Sequence, residues 1–379
     1  MAEPSPHISL LVIMNGSLAI AGKSTGGGDL VLFKCIRLSR QNPDVLVPVS
    51  AAGFVETAGE KILTQKNNSL SLAGILWLFF IRTVQAVWLG LRSPKKYDVV
   101  LAASPFGVDV LPVSFWKARR KGAVIYHIIP ERKAVNLATR IRFGLAALEQ
   151  KITMMILRRS CDFIVAGNEF TKRQLAERLP GKPIFILPAG FDAAAIDRVD
   201  AGPKDPNLAC FIGRMVSQKG IFDLLKVMAD LARIRPEFRL VMVGTGPERE
   251  FLVSEIKRLG LNNIALSGFI SETEKISLLK KSAYFFFPSY EEGWGIALAE
   301  GLYCECRCIC YELEHYRSIF GDFPAYARLG DAADFLQVFQ NCGPVPAGQK
   351  AFLRQYDDPL VVQQLMGHLV AVAGNDPTA

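Results

Sequence analysis

The stretch 283-AYFFFPSYEEGWGIALAEG-301 decides the reading of this chain. Ala283–Phe287 is a short aromatic run of the kind that fills a buried strand. Pro288 ends it, and Gly293 and Gly295 permit a tight turn with close backbone approach. A helical pattern then starts at Ile296. A strand delivering a glycine-rich turn into a helix is the unit of a doubly wound α/β sheet, whose ligands sit beyond the strand C-termini. Two carboxylates frame this turn, Glu292 on it and Glu300 eight residues later. Acceptor-only groups match pairs of hydroxyls, so Glu300 suits a ribose diol and Glu292 the hydroxyls of a sugar. The bland alternatives are N-terminal helix charge for Glu292 and a solvated face for Glu300.

The same unit recurs upstream. In 211-FIGRMVSQKG-220, Arg214 and Lys219 stand five residues apart on a loop between a strand and a helix beginning near Ile221. Cations beside a helix N-terminus suit a diphosphate, and a solvated charged loop is the alternative. Further strands read at 209–212, 240–243, 264–267, 284–287 and 306–310, with helices at 221–234, 248–259, 272–281 and 296–303. The first half repeats the alternation, with strands at 8–14, 45–49, 98–102, 123–127, 163–166 and 184–187. Continuous apolar strands alternating with helices predict parallel sheets covered on both faces.

The Gly, Pro and Asp cluster over 192–207 marks a linker. At 379 residues the chain exceeds the ~250–300 at which single cores stop growing. Two domains are expected, at 1–190 and 191–355, with a helix in 356–379 crossing back to the first. Tandem doubly wound units place a ligand cleft between them. Charge divides unevenly: residues 1–200 hold 26 Lys/Arg against 15 Asp/Glu, and the remainder 18 against 21. A basic first half points to an anionic partner. No aromatic-interleaved basic motif appears, so nucleic acid is not expected.

Eight cysteines in a chain this long are not a disulfide framework. Four alternate in 303-YCECRCICY-311, but an extended strand sets the outer two about 20 Å apart, too far for one metal. Reduced, buried thiols fit a cytoplasmic compartment. The run 72-LAGILWLFFIRTVQAVWLGL-91 approaches the ~20 residues that span a bilayer, with Arg82 at its middle. A buried helix feeding the next strand is expected there.

Taken together, "FIGRMVSQKG", "LVMVGTGPE" and "FISETEKISLLKKSAYFFFPSYEEGWGIALAEG" resemble the retaining GT-B glycosyltransferases of family 4, including their E-x7-E signature at Glu292 and Glu300. The resemblance runs from Ile8 to about Arg328, specific in the second half and looser in the first. It implies a GT-B fold, two Rossmann-like parallel-sheet domains facing a central cleft. It further implies transfer of a sugar from a UDP- or GDP-sugar donor to an acceptor hydroxyl, with the anomeric configuration kept. The nucleotide sugar is a co-substrate; no cofactor and no metal are implied. Arg214 and Lys219, with Gly213 beside them, would take the charge of the leaving diphosphate. Glu300 would hold the ribose and Glu292 the donor sugar. Gly293, Trp294, Gly295 and Ile296 would lie along sugar and phosphate, and backbone near Gly244 and Phe269 would meet the base. His127 stands where the family has an active-site histidine. Departures are "GLYCECRCIC", where the family has a small-residue turn, and Ala189 in "PAG", where Asn is common.

The segment 22-GKSTGGGD-29 resembles a P-loop only loosely. Five residues rather than four separate Gly16 from Gly22, and no acidic Walker B strand follows. Gly26, Gly27 and Gly28 instead let backbone N–H groups approach a diphosphate or sugar. Asp29 then opens a helix, as its cap or as an acceptor contact.

The resemblance implies a glycan or lipid-linked acceptor in cell-envelope synthesis, which would fall to the first domain. Residues 139–159 and 116–122 could form a basic amphipathic surface resting on anionic lipid at the inner face of the cell membrane. A helix with one core face and one solvated basic face is the alternative. Rival functions are a non-catalytic nucleotide-sugar binding protein and an epimerase or phosphorylase on the same fold.

Overall fold

A computed structural model describes residues 7–17, 27–39, 41–55, 59–65, 72–125 and 137–374. The chain divides into two compact units. One comprises the described residues up to Ala189 together with those from Asp358 onward, and the other is Gly190–Asp357.

In the first unit the chain runs β1 (Leu10–Ile13), α1 (Gly27–Leu38), β2 (Asp44–Pro48), β3 (Lys61–Thr64), α2 (Leu72–Arg92), β4 (Tyr97–Ala102), α3 (Gly107–Val113) and β5 (Ala118–Ile125). It continues through α4 (Leu137–Ser160), β6 (Phe163–Ala166), α5 (Glu169–Arg178) and β7 (Ile184–Ile186). Among the described residues these strands form one parallel sheet in the order β3-β2-β1-β4-β5-β6-β7. Strands β1, β2 and β6 are buried along their whole length, which is why their sequences are apolar runs, Asp44 at the start of β2 excepted. Order reverses between β1 and β4, so the loops after these strands meet. Gly16 N donates to Asp109 Oδ1 at 2.8 Å, and Arg82 from α2 donates to the carbonyls of Asn15 and Ser17 at 3.2 and 3.1 Å.

The second unit runs α6 (Ala193–Arg198), β8 (Asp205–Ile212), α7 (Ile221–Ile234), β9 (Arg239–Val243), α8 (Arg249–Arg258), β10 (Ile264–Gly268), α9 (Glu272–Lys281) and β11 (Ser282–Phe287). Next come α10 (Ile296–Tyr303), β12 (Arg307–Tyr311), α11 (Tyr316–Phe320), β13 (Ala325–Ala327), α12 (Ala332–Asn341) and α13 (Gln349–Leu353). Its parallel sheet is ordered β10-β9-β8-β11-β12-β13. Helix α7 buries Leu224, Leu225, Val227, Met228 and Leu231 on a core with Phe211, Phe238 and Phe286. At 20–30 cal/mol per Å², each such side chain stabilises the unit by roughly 1.5–3 kcal/mol. Helix α14 (Asp358–Ala373) belongs to the first unit, where it packs on α1 and Lys34 pairs with Asp358 at 3.0 Å.

Several sequence expectations are corrected. Helix α2 forms and feeds β4, but it is not buried. Arg82, Leu78 and Ala86 point inward, while Trp77, Phe80, Val84, Trp88 and Leu91 are exposed. Strand β5 begins at Ala118, so 118–122 pair with β4, and Trp116 is buried against Gly90 while Lys117 and Arg119 stay exposed. Helix α1 begins at Gly27, placing Gly27 and Gly28 in its first turn rather than in the preceding loop. The short edge strands β3 and β13 carry no long apolar run and escaped the pattern. Cys304 caps α10 and Cys306 precedes β12, so the four alternating cysteines do not share one strand. All eight cysteines are free thiols, and burial pushes the Cys306 thiol up to about 11.

Candidate active site

In the second unit the strand order reverses between β8 and β11, which makes the crevice outside their C-terminal ends the switch point where α/β sheets take ligands. Both motifs singled out from the sequence converge there. The turn after β8 passes through a 3-10 turn at Ser217–Lys219 and reaches α7 through Gly220, whose φ of +67° suits glycine. A Cβ on Gly220 would lie 2.1 Å from the Pro288 carbonyl oxygen, so only glycine lets the two loops meet. Tyr290 N donates to Gln218 O at 2.9 Å. The Lys219 ammonium pairs with Glu292 Oε1, and Ser289 Oγ donates to the same oxygen at 2.9 Å.

The Glu292 turn is also tied to α7. Asp223 Oδ2 accepts from the hydroxyls of Tyr290 and Tyr311, the latter at 2.9 Å, and Lys226 pairs with Oδ1 at 2.9 Å. Burial, then the Asp223 carboxylate, pushes the Tyr290 phenol up to about 12, so it stays a donor throughout the physiological range.

Glu300 lies on α10, nearly buried. Lys275 Nζ on α9 reaches its two oxygens at 2.8 and 2.9 Å, and also Glu272 Oε1 at 2.7 Å. Ser271 and Glu274 form a capping box that fixes the start of α9, which sets the reach of Lys275. Burial opposes the Lys275 charge, but Glu300 and Glu272 outweigh it and raise its pKa above the ordinary lysine value.

The remaining candidates divide. Gly295, at φ +99°, begins α10, and Ile296 opens the helix. The buried Tyr316 hydroxyl lies 3.5 Å from where Gly295 would carry a Cβ. Gly213, Gly244 and Gly268 lie together at the ends of β8, β9 and β10: Gly213 N donates to Val243 O at 3.0 Å and Gly244 N to Gly268 O at 2.8 Å. A Cβ on Gly244 would stand 1.9 Å from Gly213 O. Arg214 and Phe269 are exposed at the same end of the sheet, and Gly293 is half-buried.

The Trp294 ring is buried edge-on between Phe320 and Tyr356, at 5.3 and 5.0 Å, so the side chain packs in the unit while its backbone belongs to the turn. His127 and Gly26 lie outside the described residues, as does the side chain of Asp29. The sequence reading missed Ser289, Asp223, Tyr290 and Lys275. Lys275 sits three residues after Glu272, and nothing in that spacing announces a partner on another helix.

The departure at "GLYCECRCIC" resolves as a backbone solution. Glu305 adopts φ +57°, a left-handed conformation that ends α10, with Glu305 N donating to Leu302 O and Cys306 N to Gly301 O. Among the described residues no cluster of three or more His, Cys, Asp or Glu could hold a metal.

Each of the two units is a parallel doubly wound α/β sheet, and the second carries a cation–carboxylate pair at its switch point. Residues 192–325, within the second unit, match the family model of glycosyl transferases group 1. D-rhamnosyltransferase WbpZ of Pseudomonas aeruginosa is 23% identical over 285 residues, covering 69% of each chain. In three curated relatives the matched segment spans 69%, 38% and 53% of the relative's own length. The fold is GT-B. HepE of Anabaena, solved with UDP and glucose, superposes with a TM-score of 0.66 at 15% identity, over 96% of this chain and 99% of that one. The lipopolysaccharide outer core galactosyltransferase WaaB gives 0.65 at 15% identity, over 94% and 98%.

Proposed function

We propose that this chain is a retaining family 4 glycosyltransferase that moves a hexosyl group from a nucleotide-sugar donor to an acceptor hydroxyl. The observation that carries the reading is the Lys219–Glu292 pair across the β8/β11 switch point, which brings a diphosphate-type cation and a sugar-type carboxylate to one place. Both Ser289 and Lys219 engage Oε1 of Glu292, which leaves the Oε2 lone pairs to sugar hydroxyls. Lys275 uses one lone pair on each Glu300 oxygen, and the others accept from the ribose diol. Arg214 and Lys219 offset the charge that develops on the departing diphosphate, so no divalent metal is required.

In this reaction the bond from the anomeric carbon to the phosphate oxygen breaks. The acceptor oxygen bonds to that carbon on the same face, and the leaving phosphate takes the acceptor's proton. The protein contributes orientation and preorganised charge. The likeness to HepE, solved with UDP and glucose, and to the lipopolysaccharide galactosyltransferase WaaB supports a UDP-sugar donor and a cell-envelope glycan or glycolipid acceptor. Eight reduced thiols support a cytoplasmic enzyme.

Thermal-shift measurement against UDP-, GDP- and ADP-sugars tests donor use, since selective binding raises the melting temperature. NMR of the product tests the retained anomeric configuration. No stabilisation by any nucleotide sugar, or an inverted product, overturns the reading. A product formed without any acceptor would favour an epimerase.

A further inference from the structure

Helix α2 is amphipathic the wrong way round for a helix packed on its own domain. With 3.6 residues per turn, Trp77, Phe80, Val84, Trp88 and Leu91 fall within about an 80° arc. That arc faces solvent, with Trp77 64%, Phe80 60% and Trp88 50% exposed. Trp77 stacks on Phe80 at 5.7 Å, and Arg92 lies over the Trp88 ring at 4.4 Å. Arg82, on the opposite side of the helix, is fully buried and donates to the carbonyls of Gln65, Asn15 and Ser17.

This outward stripe is not isolated. Helix α2 packs along α3, and α3 along α4. Helix α4 exposes Leu145, Leu148, Ile152 and Met155 at helical spacing, interleaved with Lys151 and followed by Arg158 and Arg159. At the C-terminal end of α2, Gly90 abuts Trp116, which brings the exposed Phe115, Lys117 and Arg119 beside Arg92 and Lys96. An aromatic and aliphatic patch is thus bordered by cations.

We propose that this face of the first unit docks on an anionic lipid bilayer, with α2 lying in the plane of the interface rather than crossing it. Tryptophan and phenylalanine prefer the headgroup level, and basic side chains around them add attraction to anionic lipid. A self-associated pair would bring the basic borders of two copies together, which their repulsion opposes. Crossing is opposed by the buried Arg82, whose three carbonyl partners belong to the loops around β1 and β3. Segment 73–92 has the length and mean hydropathy of a span, 1.6, yet it is integral to the domain. The inference rests on this surface alone and stands or falls independently of the transfer chemistry.

The test uses the full chain and vesicles of phosphatidylcholine with or without 30 mol% phosphatidylglycerol, a composition of about one anionic lipid in three. Co-sedimentation is expected with the anionic vesicles, falling at least tenfold in 0.5 M salt or without phosphatidylglycerol. Brominated lipid is expected to quench Trp77 and Trp88, because Trp116 and Trp294 are only 2% and 5% exposed. The double variant F80E/W88E should lose association at least tenfold, and K96E/R119E should lose the salt-sensitive part; both change exposed residues, and a melting curve checks that each is folded. Failure to bind either vesicle overturns the proposal. So does binding that survives F80E/W88E, or a concentration-dependent dimer in lipid-free buffer that this variant returns to monomer.

Discussion

Lys275 holds both oxygens of Glu300, at 2.8 and 2.9 Å, from a neighbouring helix with little solvent between them. The second carboxylate of the E-x7-E pair is therefore held in one orientation before any ligand arrives. Such preorganisation moves the ordering cost of the site from binding to folding.

Lys275→Met leaves Glu300 almost buried without its cation. Stability is expected to fall by about 1–3 kcal/mol, the cost of stranding a buried polar group. Donor KM is expected to rise about tenfold with a smaller change in kcat, and Lys275→Arg to recover part of it. Steady-state kinetics and denaturant melts check this; an unchanged donor KM counts against a role for Lys275 in the site.

Glu292→Gln keeps the shape of the turn and removes its charge. Transfer is expected to fall by about 10²–10³ in kcat/KM, the scale seen when one preorganised electrostatic group is lost. Arg214→Ala is expected to act similarly, with the melting temperature nearly unchanged because Arg214 is exposed. Full turnover in either variant refutes the assignment.

Gly220→Ala places a Cβ at 2.1 Å from the Pro288 carbonyl on a backbone already at φ +67°. The turn carrying Lys219 must then withdraw from the turn carrying Glu292. A loss of about 2–4 kcal/mol and of donor stabilisation in thermal shift are expected.

Glu305→Gly relieves a left-handed backbone at an exposed helix end. The steric cost in that region is about 1–2 kcal/mol, partly offset by the greater entropy glycine loses. A net gain of about 0.5–1 kcal/mol in chemical denaturation is expected.

His315 is buried, and burial depresses its pKa to about 4. The unfolded chain takes a proton near pH 6.5, the ordinary histidine value, while the folded chain resists it. The stability His315 lends is thus complete above about 6.5 and is lost as pH falls toward 4, by about 2–3 kcal/mol. Urea melts at pH 7 and pH 4.5 measure this, and His315→Leu is expected to flatten that part of the profile.

The two switch-point loops were legible because their chemistry is local: a strand, a glycine turn and a charged side chain follow one another in sequence. Helices 221–234, 272–281 and 296–303 were legible for the same reason, since each carries its periodicity within itself. What failed to show was what depends on a second element. Lys275 gains its role from a helix 25 residues away, and the Trp294 ring owes its burial to Phe320 and Tyr356 further along the chain. Helix α2 misled for a related reason. Its apolar content was read as burial, but periodicity fixes which residues share a face and not which face is covered.

The chain leaves the first unit at Ala189 and returns at Asp358, and the two crossings are stitched side by side. Phe191 bridges Asp357, Phe191 N donates to Tyr356 O at 3.1 Å, and Ala193 N to Asp357 Oδ1 at 3.0 Å. To the first unit, the whole of 190–357 is then a loop whose ends are already closed. Its length hardly enters the entropy of threading α14 back onto α1, because that cost is met inside the second unit. A circular permutant opened elsewhere, or a second unit exchanged for another whose ends lie equally close, would leave the first unit facing the same short gap.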